Sequence, residues 1–141
     1  MIIDVSQWNG KLDWKALKTA GVTEAIIKVL NKQLDYDPRA VENIQGAIAN
    51  GIKVSFYTYV YEWDETGNAK RALELVQKLR QFDCLGSNVW WDVEDRTIEH
   101  CRESLSKAIL SAREIIGGCG YSFGIYCNLD FYRTHLIPSL L

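Results

Sequence analysis

The stretch Asp37–Tyr61, DPRAVENIQGAIANGIKVSFYTYVY, decides how the chain folds. It opens on Asp37-Pro38, where a short carboxylate can accept the orphan N–H groups of a first helical turn and proline suits that turn. Val41, Ile44 and Ile48 then recur at helical spacing, and Gly51 ends the helix. From Lys53 to Tyr61 the period changes to two. Val54, Phe56 and Thr58 share one face of a strand, and Ser55, Tyr57, Tyr59 and Tyr61 share the other. A helix that runs straight into a two-faced strand is one repeat unit of an α/β protein.

The same unit continues in both directions. Toward the N-terminus lie a strand at Ile2–Ser6, a helix capped by Asp13 that runs to Ala20 and stops at Gly21, and a strand at Ala25–Leu30. Toward the C-terminus, Thr66 or Asn68 opens a helix through Arg80, with Ala69, Ala72, Leu73, Val76 and Leu79 as its buried stripe. Next come a strand at Asn88–Val93, a helix at Ser104–Ile116 stopped by Gly117-Gly118, and a strand at Ser122–Asn128. Pro138 bars a long helix in the remaining Phe131–Leu141. Strict alternation predicts a parallel sheet of right-handed crossovers. No Gly-rich loop succeeds a strand, and Ser6-Gln7-Trp8-Asn9-Gly10 matches neither the dinucleotide nor the Walker pattern, which disfavours a nucleotide-binding doubly wound fold. A (β/α) barrel remains. A complete one needs eight strands and about 250 residues, so 141 residues at roughly 28 per unit hold five strands. The expected fold class is therefore α/β, a partial TIM-like barrel in one domain over residues 1–141.

Composition narrows the function. Hydrophobic residues make up 48% and charged residues 24%, with 2 Pro and 10 Gly, the profile of an ordinary globular chain. A net charge of -2 shows none of the basic excess of a nucleic-acid binder. No apolar run approaches the ~18 residues of a membrane span. The opening Met1-Ile2-Ile3-Asp4 lacks a basic run followed by an apolar one, so either the protein acts without a secretory signal or the chain begins after its removal. Cys84, Cys101, Cys119 and Cys127 form no C-x-x-C pair, and His100 and His135 make no ligand cluster with them, so no metal or other cofactor is expected. The cysteines read as free thiols, with one disulfide left open.

The aromatics carry more information, with 5 Trp and 7 Tyr. In parallel α/β folds the active site lies beyond the carboxyl ends of the strands. The fourth strand ends Trp90-Trp91-Asp92-Val93-Glu94-Asp95, and a period of two puts Trp90, Asp92 and Glu94 on one face. Neighbouring carboxylates repel, so at least one should hold its proton at unusually high pH, as a general acid requires. Asp95 has the opposite parity and reads as solvated or as a cap of the next helix. Asp4, at the end of the first strand, can point into the same space. Tyr57, Tyr59, Tyr61, Trp63 and Tyr126 would surround these acids. Aromatic faces stack on sugar rings and phenols bond sugar hydroxyls and acetamides. An acid pair framed by such rings suits glycosidic hydrolysis. Trp14 reads as core, Trp8 as lid or core, and Lys28 as structural or solvated.

The run Ile3-Asp4-Val5-Ser6-Gln7-Trp8-Asn9-Gly10 resembles the opening strand of the family 25 glycoside hydrolases, the Chalaropsis-type lysozymes. Asp13-Trp14-Lys15, Ala20-Gly21-Val22 and Ala25-Ile26-Ile27-Lys28 are similar to the next segments of that family. Asn50–Tyr59 looks like its third strand, Asp92-Val93-Glu94 like its D-x-E signature, and Gly124-Ile125-Tyr126-Cys127-Asn128 like its fifth strand. The resemblance implies an N-acetylmuramidase with a (β/α)5β3 barrel, acting on peptidoglycan outside the cell or in the cell wall, as phage endolysins also do. It makes Glu94 the proton donor and Asp92 the residue that orients or stabilises the reacting sugar, with Asp4 in the same acidic floor. Tyr57, Tyr59, Trp63, Trp90 and Tyr126 become substrate-binding candidates.

The chain departs from that family in two places. It stops where the family's last three strands, with a further aspartate, should begin. Strand two continues Val29-Leu30-Asn31-Lys32, where the family usually has a small residue and an acid-glycine turn. A non-catalytic glycan-binding module is therefore the alternative reading. Strands one and five would be open edges, and Leu136–Leu141 would have little to pack against. That predicts either a homodimer through the open side or a longer parent chain.

Overall fold

The computed structural model describes all residues, 1–141. Five strands, β1 (Ile2–Val5), β2 (Glu24–Leu30), β3 (Lys53–Tyr59), β4 (Asn88–Asp92) and β5 (Ser122–Tyr126), form one parallel sheet in the order β1-β2-β3-β4-β5. Spatial order repeats chain order. The sheet therefore has no switch point of the doubly wound kind and curls as part of a barrel. Between the strands run α1 (Trp14–Thr19), α2 (Ala40–Ala49), α3 (Glu65–Leu79) and α4 (Arg102–Gly118), and α5 (Leu129–His135) comes after β5.

The two faces of the sheet differ as the alternating pattern requires. On the helix-covered side, Ala25, Ile27, Val29, Phe56, Val89, Trp91 and Val93 are fully buried, against Ile44 and Ala47 of α2, Leu75 and Leu79 of α3, and Ile109 and Ile116 of α4. At roughly 1.5–3 kcal/mol per buried large side chain, this layer supplies most of the drive to fold. The indole of Trp91 donates to Asn68 Oδ1 at 2.8 Å, so its buried N–H is satisfied. Register puts Asp4, Ile26, Lys28, Ser55, Tyr57, Tyr59, Trp90, Asp92, Gly124 and Tyr126 on the concave face. A Cβ on Gly124 would lie 2.5 Å from the Trp90 ring, so that ring crosses β5 where only glycine leaves room.

Several expectations need correction. Asp13 does cap α1, accepting the Ala16 N–H at 2.9 Å. Asp37 does not cap α2, which begins three residues later. Its carboxylate instead accepts the N–H groups of Arg39 (3.1 Å) and Gln7 (3.3 Å), tying the β1 loop to the α2 entry. The α3 cap is Asp64, accepting from Gly67 N at 3.0 Å, not Thr66 or Asn68. The buried α3 stripe is Asn68, Arg71, Ala72, Leu75, Val76 and Leu79, while Leu73 is 57% exposed. Two polar residues lead that stripe, so hydrophobicity alone rotates it toward the wrong face. α4 runs through Gly117 and Gly118, and β3 and β5 end at Tyr59 and Tyr126.

The C-terminal segment is held, contrary to expectation. Leu136 is fully buried, and its carbonyl accepts from Arg102 Nε at 2.8 Å. Ser106 Oγ accepts the Ile137 N–H at 2.9 Å, and Arg113 donates to the Leu141 carbonyl at 3.1 Å. Trp14 is buried as expected. β1 and β5 are the edges of the sheet, and all four cysteines are free thiols. No helix is long and apolar enough to cross a membrane.

Candidate active site

Asp4, Ile26, Tyr57, Trp90, Asp92, Glu94 and Tyr126 line one cavity of about 380 Å³ at the carboxyl ends of the strands. Each residue arrives from a different part of the alternation: Asp4 from β1, Ile26 from β2, Tyr57 from β3, Trp90 and Asp92 from β4 and Tyr126 from β5. Glu94 continues the β4 parity two residues past the strand end. All three predicted acids and three of the five predicted aromatics therefore meet. Tyr59 stands beside this lining rather than in it, within electrostatic reach of Asp95, Glu94 and Asp92. Trp63, in the loop between β3 and α3, is 48% exposed and is not brought to the cavity wall. Trp8 is 84% exposed in the loop after β1.

The carboxyl that holds its proton is that of Asp92. Burial and the neighbouring Glu94 push it up to about 7, with Lys28 pulling the other way. Its Oδ1 is buried with no hydrogen-bond partner in the protein. An orphaned acceptor of this kind costs about 1–3 kcal/mol unless a water, an ion or a ligand supplies the partner. Burial and Asp4 together push the Tyr57 phenol up to about 12, with a hydrogen bond to Ser6 opposing them, so Tyr57 is a neutral hydrogen-bonding group. The Tyr59 phenol is raised further by burial and then by Asp95. Asp95 caps no helix, since α4 begins at Arg102, and closes a turn instead. It accepts the Thr97 N–H at 2.8 Å and the Thr97 hydroxyl, and it also touches Tyr59.

Three participants escaped the sequence reading. Lys28 pairs with Tyr57 across β2 and β3 and acts on Asp92, so it belongs to the concave face rather than to bulk solvent. Its parity with Ile26 carried that signal. Cys127, just past β5, has its thiol pushed up by burial and then by Glu94 and Asp92. Asp37, buried under the β1 loop, adds to the field on Tyr57.

A parallel barrel-type sheet whose strand ends gather carboxylates among aromatic rings suits a glycoside hydrolase. Comparison with known proteins gives the particular kind: the chain belongs to the glycosyl hydrolases family 25, which it matches over residues 3–140. It is 25% identical over 134 residues to the autolytic lysozyme of Clostridium acetobutylicum, covering 95% of this chain and 40% of that protein. Among solved structures, it resembles the modular autolysin LytC from Streptococcus pneumoniae with a TM-score of 0.83 at 22% identity, over 95% of this chain and 33% of that one. The catalytic domain of endolysin ply40 from bacteriophage P40 of Listeria monocytogenes matches with a TM-score of 0.78 at 22% identity, over 95% of this chain and 66% of that one. The chain thus spans about two fifths of the length of the curated relative it matches. The structural likenesses establish the shared barrel-type fold.

Proposed function

We propose that this chain hydrolyses the β-1,4 bond between N-acetylmuramic acid and N-acetylglucosamine in peptidoglycan, acting at the cell wall. The observation that carries this reading is the single cavity lined by Asp4, Asp92, Glu94, Tyr57, Trp90 and Tyr126. Glu94 gives to the departing glycosidic oxygen the one proton that it shares with Asp92, which leaves Asp92 as the carboxylate. Asp92, whose Oδ1 has no protein partner, accepts the acetamido N–H of the reacting sugar and steadies the positive charge that develops on its ring. Asp4 extends the negative floor. Trp90 and Tyr126 offer ring faces to the sugars, and Tyr57 and Tyr59 offer neutral phenols to their hydroxyls. Trp63, away from the cavity wall, is left for a more distant sugar of the strand.

A non-catalytic glycan-binding role is the second reading, favoured by one observation: Tyr126 on the edge strand is 59% exposed, so that wall of the cavity is open. Release of reducing ends from purified peptidoglycan separates the two. Glu94→Gln should lower kcat by about 10²–10⁴-fold with an unchanged melting curve, because a poor leaving group needs the proton. Equal turnover in wild type and Glu94→Gln removes Glu94 as the acid. No turnover in wild type, with binding retained, leaves the binding role. Self-association through the open β5 side belongs to the same proposal, and a monomer in light scattering would remove it.

A further inference from the structure

Beyond the acidic cavity, the loop after β2 presents a lysine in an unusually fixed way. The β2–β3 register slips by one residue between Lys28 and Leu30, a bulge at the carboxyl end of β2. The next residues close on themselves. Leu30 bridges Tyr36, the Asn31 N–H donates to the Asp35 carbonyl at 2.9 Å, and Asn31 Oδ1 accepts the N–H groups of Gln33 (2.9 Å) and Asp35 (3.0 Å). Leu34 takes a φ of 68°, a conformation a leucine adopts only when its surroundings hold it there. From below, the fully buried Arg71 donates to the carbonyls of Asn31 (3.4 Å) and Lys32 (3.5 Å).

This scaffold sets an exposed ammonium against the aromatic wall. Lys32 Nζ lies 5.2 Å from the Tyr61 ring centroid, and the Arg71 guanidinium lies 5.5 Å from the same ring. Tyr61 packs on Tyr59 with centroids 4.8 Å apart. Tyr59 in turn pairs with Asp92 across β3 and β4 and lies within electrostatic reach of Asp95 and Glu94. An exposed lysine normally sweeps a wide volume, and a solvating role needs no pinned backbone beneath it. The acids matter here. A glycan carrying carboxylates would be repelled by Asp4, Glu94 and Asp95, whereas a neutral glycan would not. Lys28 acts on Asp92 within that floor, while Lys32 acts on Asp95 at its edge.

We propose that Lys32, together with the Tyr59–Tyr61 pair, forms a subsite for a sugar bearing a carboxylate on its 3-O substituent. The rings take the sugar and the ammonium takes the carboxylate. This deepens the muramidase reading and rests on it. In a strand that alternates acidic and neutral sugars, a cation at a fixed offset from Glu94 selects one register of two, and so which bond meets the acid. The carboxylate has two sources, the free lactyl ether or the stem peptide.

Three disaccharides with the same β-1,4 backbone test this by equilibrium binding to the 141-residue chain: N-acetylglucosaminyl-N-acetylmuramic acid, its dipeptide form, and the neutral N,N′-diacetylchitobiose. Lys32→Glu should weaken one or both acidic sugars by about tenfold and N,N′-diacetylchitobiose by less than about twofold, as expected for reversal of an exposed charge. Lys32→Arg should behave as wild type, and about 0.5 M salt, a condition of the assay, should erase the preference. Loss on the unsubstituted muramyl sugar alone assigns the lactyl carboxylate, and loss on the dipeptide form alone assigns the stem. Equal effects on acidic and neutral sugars, or none, overturn the proposal while leaving a muramidase intact. Wild-type failure to bind any of the three overturns both.

Discussion

The protein buries two polar clusters at the same end of the sheet, and they are built on opposite terms. Around Arg71 every donor is used. Its guanidinium makes paired bonds of 2.8 Å to both Glu62 oxygens and one of 2.9 Å to Thr58 Oγ1, besides the two loop carbonyls. Asp92 is also buried, yet it has an oxygen without a partner and a carboxyl that keeps its proton to about 7. Burying polar groups is costly in both places. Full pairing fixes two loops, whereas incomplete pairing keeps a group ready for substrate.

The sharpest way to break this contrast is to unpair the framework cluster. Glu62→Leu strands a fully buried guanidinium and should cost about 3–5 kcal/mol in urea unfolding. Arg71→Met, which removes the buried charge and leaves the partly exposed Glu62 to water, should cost less. If the two variants are equally destabilised, the guanidinium is not the group that depends on its partner.

The opposite change is expected at Asp92. Its carboxyl is raised from 3.8 to about 7, so the native state resists the charge that the unfolded chain accepts freely. Native stability from this group is therefore full below about pH 4 and is lost as pH rises through about 7. Asp92→Asn should gain about 2 kcal/mol at about pH 8 and nearly nothing at about pH 4, while losing activity. A gain that is flat with pH would mean the orphaned oxygen, not the charge, is the source of strain. At the small end, Leu73→Ala on the exposed side of α3 should change stability by less than about 0.5 kcal/mol. A loss of about 2 kcal/mol or more would restore the hydrophobic stripe read from sequence.

That stripe marks where sequence stopped being legible. Alternation in Lys53–Tyr59 and Asn88–Asp92 is an intrinsic property of strands, so parity alone brought Tyr57, Trp90 and Asp92 to one face. Chain-order pairing then brought in Asp4 and Tyr126. Asn68 and Arg71 broke the reading of α3 because their burial depends on partners, Trp91, Thr58 and Glu62, that lie elsewhere in the chain. Lys28 was passed over for the same reason, since a lysine reads as solvated until its neighbours are known. The acid pair was predicted to contain a raised carboxyl, but which one depends on depth in the cavity, and depth is not written in a period of two. Trp63 keeps the strand parity in sequence, yet the strand ends at Tyr59, and beyond that point parity has no authority.

The order β1-β2-β3-β4-β5 also bears on how the molecule comes into being. Each strand pairs with the one made just before it, so every closure spans about one βα unit, roughly 28 residues, at nearly constant entropic cost. A chain that is synthesised from its N-terminus can therefore grow by accretion, never waiting for a distant partner. The acids of β1 and β4 are then in register before β5 arrives with Tyr126. In hydrogen exchange, the outer wall of the cleft should be the last part to gain protection and the first to lose it.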